Sequence, residues 1–154
     1  MNYETSKEIE IVIADYFGIR QNLSVPNVGW GIGIYECDVL IVTKTGYAYE
    51  VEIKVSKSDL LRDFNKRHNH NDYQNRIRKQ WFAIPQRLES AIAHIPEKYG
   101  VLVISKTGIV SEIRGAPINA SARKLEVIEQ YHIARLGVLR MWALKKKIAK
   151  GGDA

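Results

Sequence analysis

The chain is short of several features that mark particular classes of protein. It has a single cysteine, Cys37, so an intramolecular disulfide is excluded and a reducing, intracellular setting is the default. No apolar run approaches the ~20 residues of a membrane span, and residues 1–4 carry neither the basic nor the apolar region of a signal peptide. The sequence alone therefore predicts a cytoplasmic protein.

The sequence also has no internal repeat, low-complexity tract or Pro/Gly-rich linker that would divide it. At 154 residues it is long enough for one domain with a substantial core and too short for two ordinary ones. Hydrophobic residues make up 45% and charged residues 26%, which is a globular composition. We expect one domain over residues 1–154, with a core over about 5–115 and a C-terminal helix over about 119–149.

Positive charge is in excess, because 23 Lys and Arg against 17 Asp and Glu give a formal net charge of +6. Such an excess favours an anionic partner, most often a nucleic acid. Many basic proteins bind no nucleic acid, so the kind of partner has to be inferred from the sequence motifs.

Hydrophobic periodicity predicts an alternation of helices and strands. Thr5 and Glu8 have capping-box spacing at the start of the first helix, and Ser56 with Asp59 is close to that spacing at the start of the second. The order predicts an α/β sandwich with a mixed sheet. In chain order the predicted elements are a helix over 5–17, strands over 30–35, 36–42 and 47–54, a helix from just after Lys54 to Phe64, a helical piece over 73–79, a strand over 80–84, a hairpin over 100–105 and 109–114, and a helix over 119–149.

The predicted hairpin of the second and third strands carries the most informative side chains. Strict alternation places Glu50, Glu52 and Lys54 on one face of the third strand, and the hairpin can bring Asp38 beside Glu52. Two carboxylates and an ammonium around one point are what a hard divalent cation and an activated water need. A ladder of surface salt bridges is the alternative, but the apolar surroundings favour a central strand and a metal site.

Asp38 followed by Glu52-x-Lys54 resembles the motif of the PD-(D/E)XK nuclease superfamily, with Cys37 in place of the proline that often precedes the Asp. The run over 50–64, together with 81–85 and 99–104, is similar to the MmcB-like branch of DNA-repair nucleases. This resemblance implies a restriction-endonuclease-like core of order α-β-β-β-α-β, with a mixed central sheet flanked by helices and a C-terminal hairpin and long helix added. It also implies a nucleoid-associated, divalent-metal-dependent DNA endonuclease of repair or recombination. A non-catalytic DNA-binding module that keeps the fold is the alternative.

The resemblance assigns a role to each residue of the motif. Asp38, Glu52 and the backbone carbonyl of Ile53 are expected to bind Mg²⁺ or Mn²⁺, and Lys54 is expected to assist the attacking water. Many superfamily members add an acid from the first helix, which here is Glu8 or, equally by position, Glu10. Glu8 can instead cap its own helix.

Basic residues follow the motif closely, and we expect them to grip DNA phosphates beside the metal. A solvated charged face is the alternative. The candidate DNA-binding residues are Lys57, Arg62, Lys66, Arg67, Arg76, Arg78 and Lys79.

Other polar groups near the motif are expected to have no catalytic role. Cys37 lies in an apolar strand without a nearby histidine, which makes a thiol nucleophile a poor candidate. Glu50 and Glu36 are expected to be solvated carboxylates at the rim.

The C-terminal helix has a broad apolar side that includes Tyr131, Val138 and Trp142. We expect this side to pack on the sheet, and a homodimer interface is the alternative.

Overall fold

The computed structural model of the protein describes residues 1–29, 36–66 and 76–151, with only the backbone for 64–66. The predicted strand over 30–35 lies outside these residues. The strands are β1 Leu23–Val28, β2 Cys37–Val42, β3 Ala48–Ile53, β4 Ile77–Pro85, β5 Gly100–Ile104 and β6 Val110–Arg114. The α-helices are α1 Ser6–Tyr16, α2 Lys57–Lys66 and α3 Val127–Ala149, and a 3₁₀ helix spans Gln86–His94.

The strands form one six-stranded mixed sheet in sequential order from β1 to β6. β2 runs antiparallel to its neighbours β1 and β3, and β5 runs antiparallel to β6, whereas β4 runs parallel to both β3 and β5. Short turns connect β2 to β3 and β5 to β6. At the β2–β3 turn, Gly46 has φ +89°, a conformation that other residues rarely adopt. The parallel pairs need crossovers, which α2 and the 3₁₀ helix provide.

Both faces of the sheet are covered by packed side chains. On one face, Ile9 and Ile13 of α1 pack against Val51 and Ile53 of β3 and their neighbours. The other face carries a cluster around Ile133 of α3 over β1 and β2, and a second cluster around Leu60 of α2 over β4 and β5. β3 lies between these two clusters, and on this face it carries Glu50 and Glu52, both of them buried.

The predicted α/β class with a mixed sheet is confirmed, and the first helix begins with the predicted capping box of Thr5 and Glu8. The region before residue 30 was wrongly predicted to contain no strand. β1 occupies it and pairs Leu23 with Val42. Pro26 is tolerated in β1 because β1 is an edge strand, where a missing N–H breaks no required ladder bond.

Two other predicted boundaries are wrong. Residues 77–79 belong to β4 rather than to a helix, because Ile77 pairs with Ala48 of β3. The C-terminal helix begins at Val127 rather than at 119. The residues before it are held in an irregular path by tertiary hydrogen bonds: Asn119 donates its backbone N–H to the carbonyl of Arg78 (2.8 Å).

The broad apolar side of α3 does not pack on the sheet, which corrects the expectation from the sequence. Ile133 is fully buried, but Val138 is 49% exposed and Trp142 is 52% exposed. Among the described helices, α3 included, none combines the length and the apolar character that crossing a membrane requires.

Candidate active site

Asp38 and Glu52 lie at one end of the sheet, where β2 begins and β3 ends. The register pairs Val39, which follows Asp38 on β2, with Val51, which precedes Glu52 on β3. Asp38 Oδ2 also accepts a 2.7 Å hydrogen bond from the backbone N–H of Ile53. The carboxylate of Asp38 is therefore fixed to the end of β3.

Lys54 completes the predicted group. Its Nζ lies 3.5 Å from Glu52 Oε2 and 3.7 Å from Asp63 Oδ1. Its backbone N–H donates to the carbonyl of Ala83 on β4 (3.0 Å), which fixes the point from which the side chain leaves. The structure thus places Lys54 against Glu52, at the end of the sheet where Asp38 also lies.

Asp63 was not predicted as part of this group. It comes from α2, three residues after the buried Leu60, and residues three apart share a helix face. That spacing was the sequence signal that could have identified Asp63, because it places Asp63 on the helix face that packs toward the sheet. Asp63 therefore adds a second carboxylate beside the ammonium of Lys54.

A cavity of about 390 Å³ opens at this end of the sheet. Asp38, Ile53 and Lys54 line it from the sheet, and α2 contributes Arg62 and Asp63 among others. Glu52 is not part of the lining. Its side chain is 7% exposed and contacts the lining residue Lys54.

The carboxylates around the site affect the pKa of Cys37. Burial first, and then the nearby charges of Glu50, Glu52 and Asp38, raise the pKa of its thiol far above the usual value. A thiol held neutral in this way is a poor nucleophile, in agreement with the sequence analysis.

Glu50 is buried rather than solvated, which corrects the expectation for this residue. It is 6% exposed, and its Oε2 accepts a 2.8 Å hydrogen bond from Gln80 Nε2 on β4. The cause is the central position of β3, which is covered on both faces. Glu36 is exposed, as expected.

The two acids of α1 are used differently. Glu8 Oε2 accepts hydrogen bonds from the Thr5 hydroxyl (2.8 Å) and backbone N–H (3.1 Å), and this capping lowers the pKa of Glu8. The pKa of Glu10 is raised, chiefly by burial and then by the charge of Asp38. Of the two, Glu10 is the acid that the structure places within electrostatic reach of Asp38.

The oxygen-rich donor set fits a hard divalent cation. No cluster of three or more His, Cys, Asp or Glu side chains with metal-binding geometry occurs in the described part of the chain. Mg²⁺ does not require one, because it keeps several waters and commonly binds through one or two carboxylates. Asp38 and Glu52, adjacent across two strands, can supply these, with the carbonyl of Ile53 beside them.

The candidate DNA-binding residues do not all lie near the site. Arg62 lines the cavity and pairs with Asp59, and Lys57 is exposed on the first turn of α2. The side chain of Lys66 and all of Arg67 lie outside the described residues. The sequence predicted that Arg76, Arg78 and Lys79 would lie beside the candidate metal site, and this prediction is wrong.

These three residues lie at the other end of the sheet. β4 starts beside Ala48, whereas the site is near Ile53, roughly 16 Å away at ~3.3 Å per strand residue. Arg76 Nε forms an ion pair with Glu129 Oε1 (2.9 Å), and the Arg78 guanidinium lies 4.0 Å from the centre of the Tyr47 ring. Lys79 lies over the rings of Tyr49 and Trp81.

Comparisons with known proteins show the fold alone. No protein-family model matches the chain, and no curated protein matches it. Among solved structures, the chain is similar to the SPO1766 protein of unknown function from Silicibacter pomeroyi, with a TM-score of 0.61 and 16% sequence identity over 92% of this chain and 90% of that chain. The likeness covers the α/β sheet and its helices, and it carries no activity with it.

Proposed function

We propose that this protein is a divalent-metal-dependent DNA endonuclease that hydrolyses phosphodiester bonds in DNA repair or recombination. The observation that carries the proposal is the position of Asp38, Glu52 and Lys54 at the same end of two adjacent strands: Asp38 and Lys54 line one cavity, and Lys54 Nζ lies 3.5 Å from Glu52. The element order, α-β-β-β-α-β followed by a hairpin and a long helix, supports a PD-(D/E)XK core of the MmcB-like type.

Asp38, Glu52 and the Ile53 carbonyl would hold Mg²⁺ or Mn²⁺ in this scheme. When bound, the ion supplies Lewis acidity to the scissile phosphate and lowers the pKa of a coordinated water. The hydrogen bond from Ile53 N to Asp38 Oδ2 fixes one carboxylate in advance, which reduces the ordering needed for metal binding. Glu10 would be the supporting acid from the first helix, since Glu8 is engaged at its own helix end.

Lys54 provides the positive charge that phosphoryl chemistry needs. Its side chain is 17% exposed and is held between Glu52 and Asp63, so its ammonium has few other positions to adopt. A preorganised cation stabilises the negative charge that develops on the phosphate in the transition state. The role of Lys54 is therefore electrostatic.

DNA would enter through the cavity beside α2. Two of the predicted DNA-binding residues, Lys57 and Arg62, lie on α2, and each can neutralise a phosphate without reading the base sequence. The partner in this proposal is DNA recognised by shape and charge.

The proposal is tested with purified protein and a panel of linear, nicked, flapped and four-way-junction DNAs, in Mg²⁺ or Mn²⁺ and in EDTA. We expect cleavage of at least one substrate in metal and none in EDTA. Glu52→Gln should abolish cleavage, whereas Glu36→Gln, which alters an exposed carboxylate nearby, should not. DNA binding without cleavage of any substrate would instead support the non-catalytic DNA-binding module.

A further inference from the structure

α3 presents a regular apolar stripe to solvent. Its members are spaced alternately four and three residues apart, an average of 3.5, which is the period of a coiled-coil seam. This stripe, here called the α3 seam, consists of Val127, Tyr131, Ala134, Val138, Met141 and Ile148, with Lys145 as its charged position.

Most of the seam is exposed, and Ala134 is half-buried. α3 contacts the sheet through another side, about 100° around the helix from Ala134, where Ile133 is fully buried and Arg140 Nε donates to the carbonyl of Pro26 (2.7 Å). On the seam, Tyr131 is 59% exposed and Met141 is 46% exposed. Every residue from 141 to 150 is exposed, so the end of the helix extends beyond the packed part of the described chain.

An apolar stripe along a helix ~35 Å long is unusual on a monomer, and large exposed apolar patches mark interaction sites. A spacing of 3.5 residues indicates that the binding partner is a helix, because this period keeps the seam in contact with another helix along its length rather than with a flat surface. We propose that the α3 seam pairs antiparallel with the same seam of a second copy of this chain, forming a homodimer.

The charges on α3 favour the antiparallel direction. In a parallel pair Lys145 would face Lys145 across the seam, with Lys146 and Lys147 of both copies adjacent, and like charges facing each other are costly. In an antiparallel pair with Ala134 opposite Val138, Lys145 lies opposite Val127 and close to the exposed Glu126. The same alignment places Met141 against Tyr131, a favourable sulfur–aromatic contact.

Sedimentation velocity over a range of concentrations tests the dimer. We expect wild type to pass from monomer to dimer, and Val138→Glu to weaken the dimer at least ~10-fold, because two carboxylates would enter the seam. Leu139→Glu is the matched control: Leu139 is 50% exposed against 49% for Val138, but lies about 100° around the helix. Leu139→Glu should dimerise like wild type, and circular dichroism should show both variants folded.

Oxidative cross-linking of variants with one added cysteine tests the direction, since the native Cys37 is buried. Tyr131→Cys mixed with Met141→Cys should give a cross-linked dimer, whereas neither should cross-link alone, because in the antiparallel pair identical positions are ~15 Å apart along the axis. Cross-linking of each variant with itself would overturn the antiparallel arrangement. Three results would overturn the homodimer. The wild type could stay monomeric, or Val138→Glu and Leu139→Glu could weaken the dimer equally. The third result is that the monomer binds phosphatidylserine vesicles and that Val138→Glu abolishes this binding.

Discussion

At the scale of single residues, Lys54 is the sharpest test of the electrostatic role. Lys54→Ala should lower the single-turnover cleavage rate by ~10²–10³, as expected for losing a preorganised charge at a transition state. Metal affinity should stay the same or rise, because the Lys54 ammonium lies 3.5 Å from Glu52 and opposes a cation there. Calorimetric titration with Mn²⁺ measures the affinity. A large loss of metal binding with the rate per bound metal preserved would contradict the assignment.

The acids of α1 give a paired prediction at the same scale. Glu10→Gln should weaken Mn²⁺ binding by ~10–100-fold, the usual effect of losing a supporting group at a metal site. Glu8→Gln should leave the affinity unchanged and lower the melting temperature, since Glu8 bonds to Thr5 at the helix start. Metal titration and thermal unfolding of both variants check this. Weaker metal binding in Glu8→Gln alone would restore Glu8 as the ligand.

At the scale of elements, α3 is attached to β4 by a group of charges. Glu129, in the first turn of α3, accepts hydrogen bonds from Arg123 Nη1 (2.8 Å) and Arg76 Nε (2.9 Å). Arg123 above all, with Arg76, lowers the pKa of Glu129 to about 2 from 4.5. Because the folded pKa is the lower one, this contribution to stability is present above pH 4.5 and is lost as the pH falls toward 2.

Glu129→Gln should therefore remove part of the acid dependence of stability. The free energy of unfolding of wild type should fall between pH 4.5 and 2, and that of the variant should fall less. Urea unfolding at several pH values measures the difference. Glu97→Gln, which changes an exposed carboxylate, should retain the wild-type dependence. Parallel curves for wild type and Glu129→Gln would show that Glu129 is not the group responsible.

The elements also show how far the sequence predicts the structure. The β2–β3 hairpin and the contact of Lys54 with Glu52 were predictable, because they depend on a short turn and on two-residue alternation. β1 was missed because Pro26 and Asn27, which has φ +52°, look like loop residues. Asp63 beside Lys54 and Arg76 beside Glu129 depend on tertiary packing, which brings residues together whatever their separation in sequence.

At the scale of the whole molecule, candidate DNA-binding residues lie at both ends of the sheet. Lys57 lies near the proposed site, whereas Arg78 lies at the far end against Tyr47. If DNA is bound at the cavity, Lys57→Ala should make the log–log salt slope of duplex binding about 0.9 shallower on unrelated sequences. Arg78→Ala should leave the slope unchanged. Fluorescence anisotropy at several salt concentrations measures both, and the opposite pattern would move the DNA interface to the far end.

Metal-dependent phosphodiester cleavage by Asp38→Asn tests the central claim most directly. Asp38 accepts the hydrogen bond from Ile53 N and lines the cavity, so its carboxylate is the group on which the proposed metal site depends. We predict that, in Mg²⁺, wild type and Glu36→Gln cleave the preferred DNA at similar rates while Asp38→Asn, folded and still binding DNA, shows no cleavage above background. Cleavage by Asp38→Asn at the wild-type rate would contradict the account.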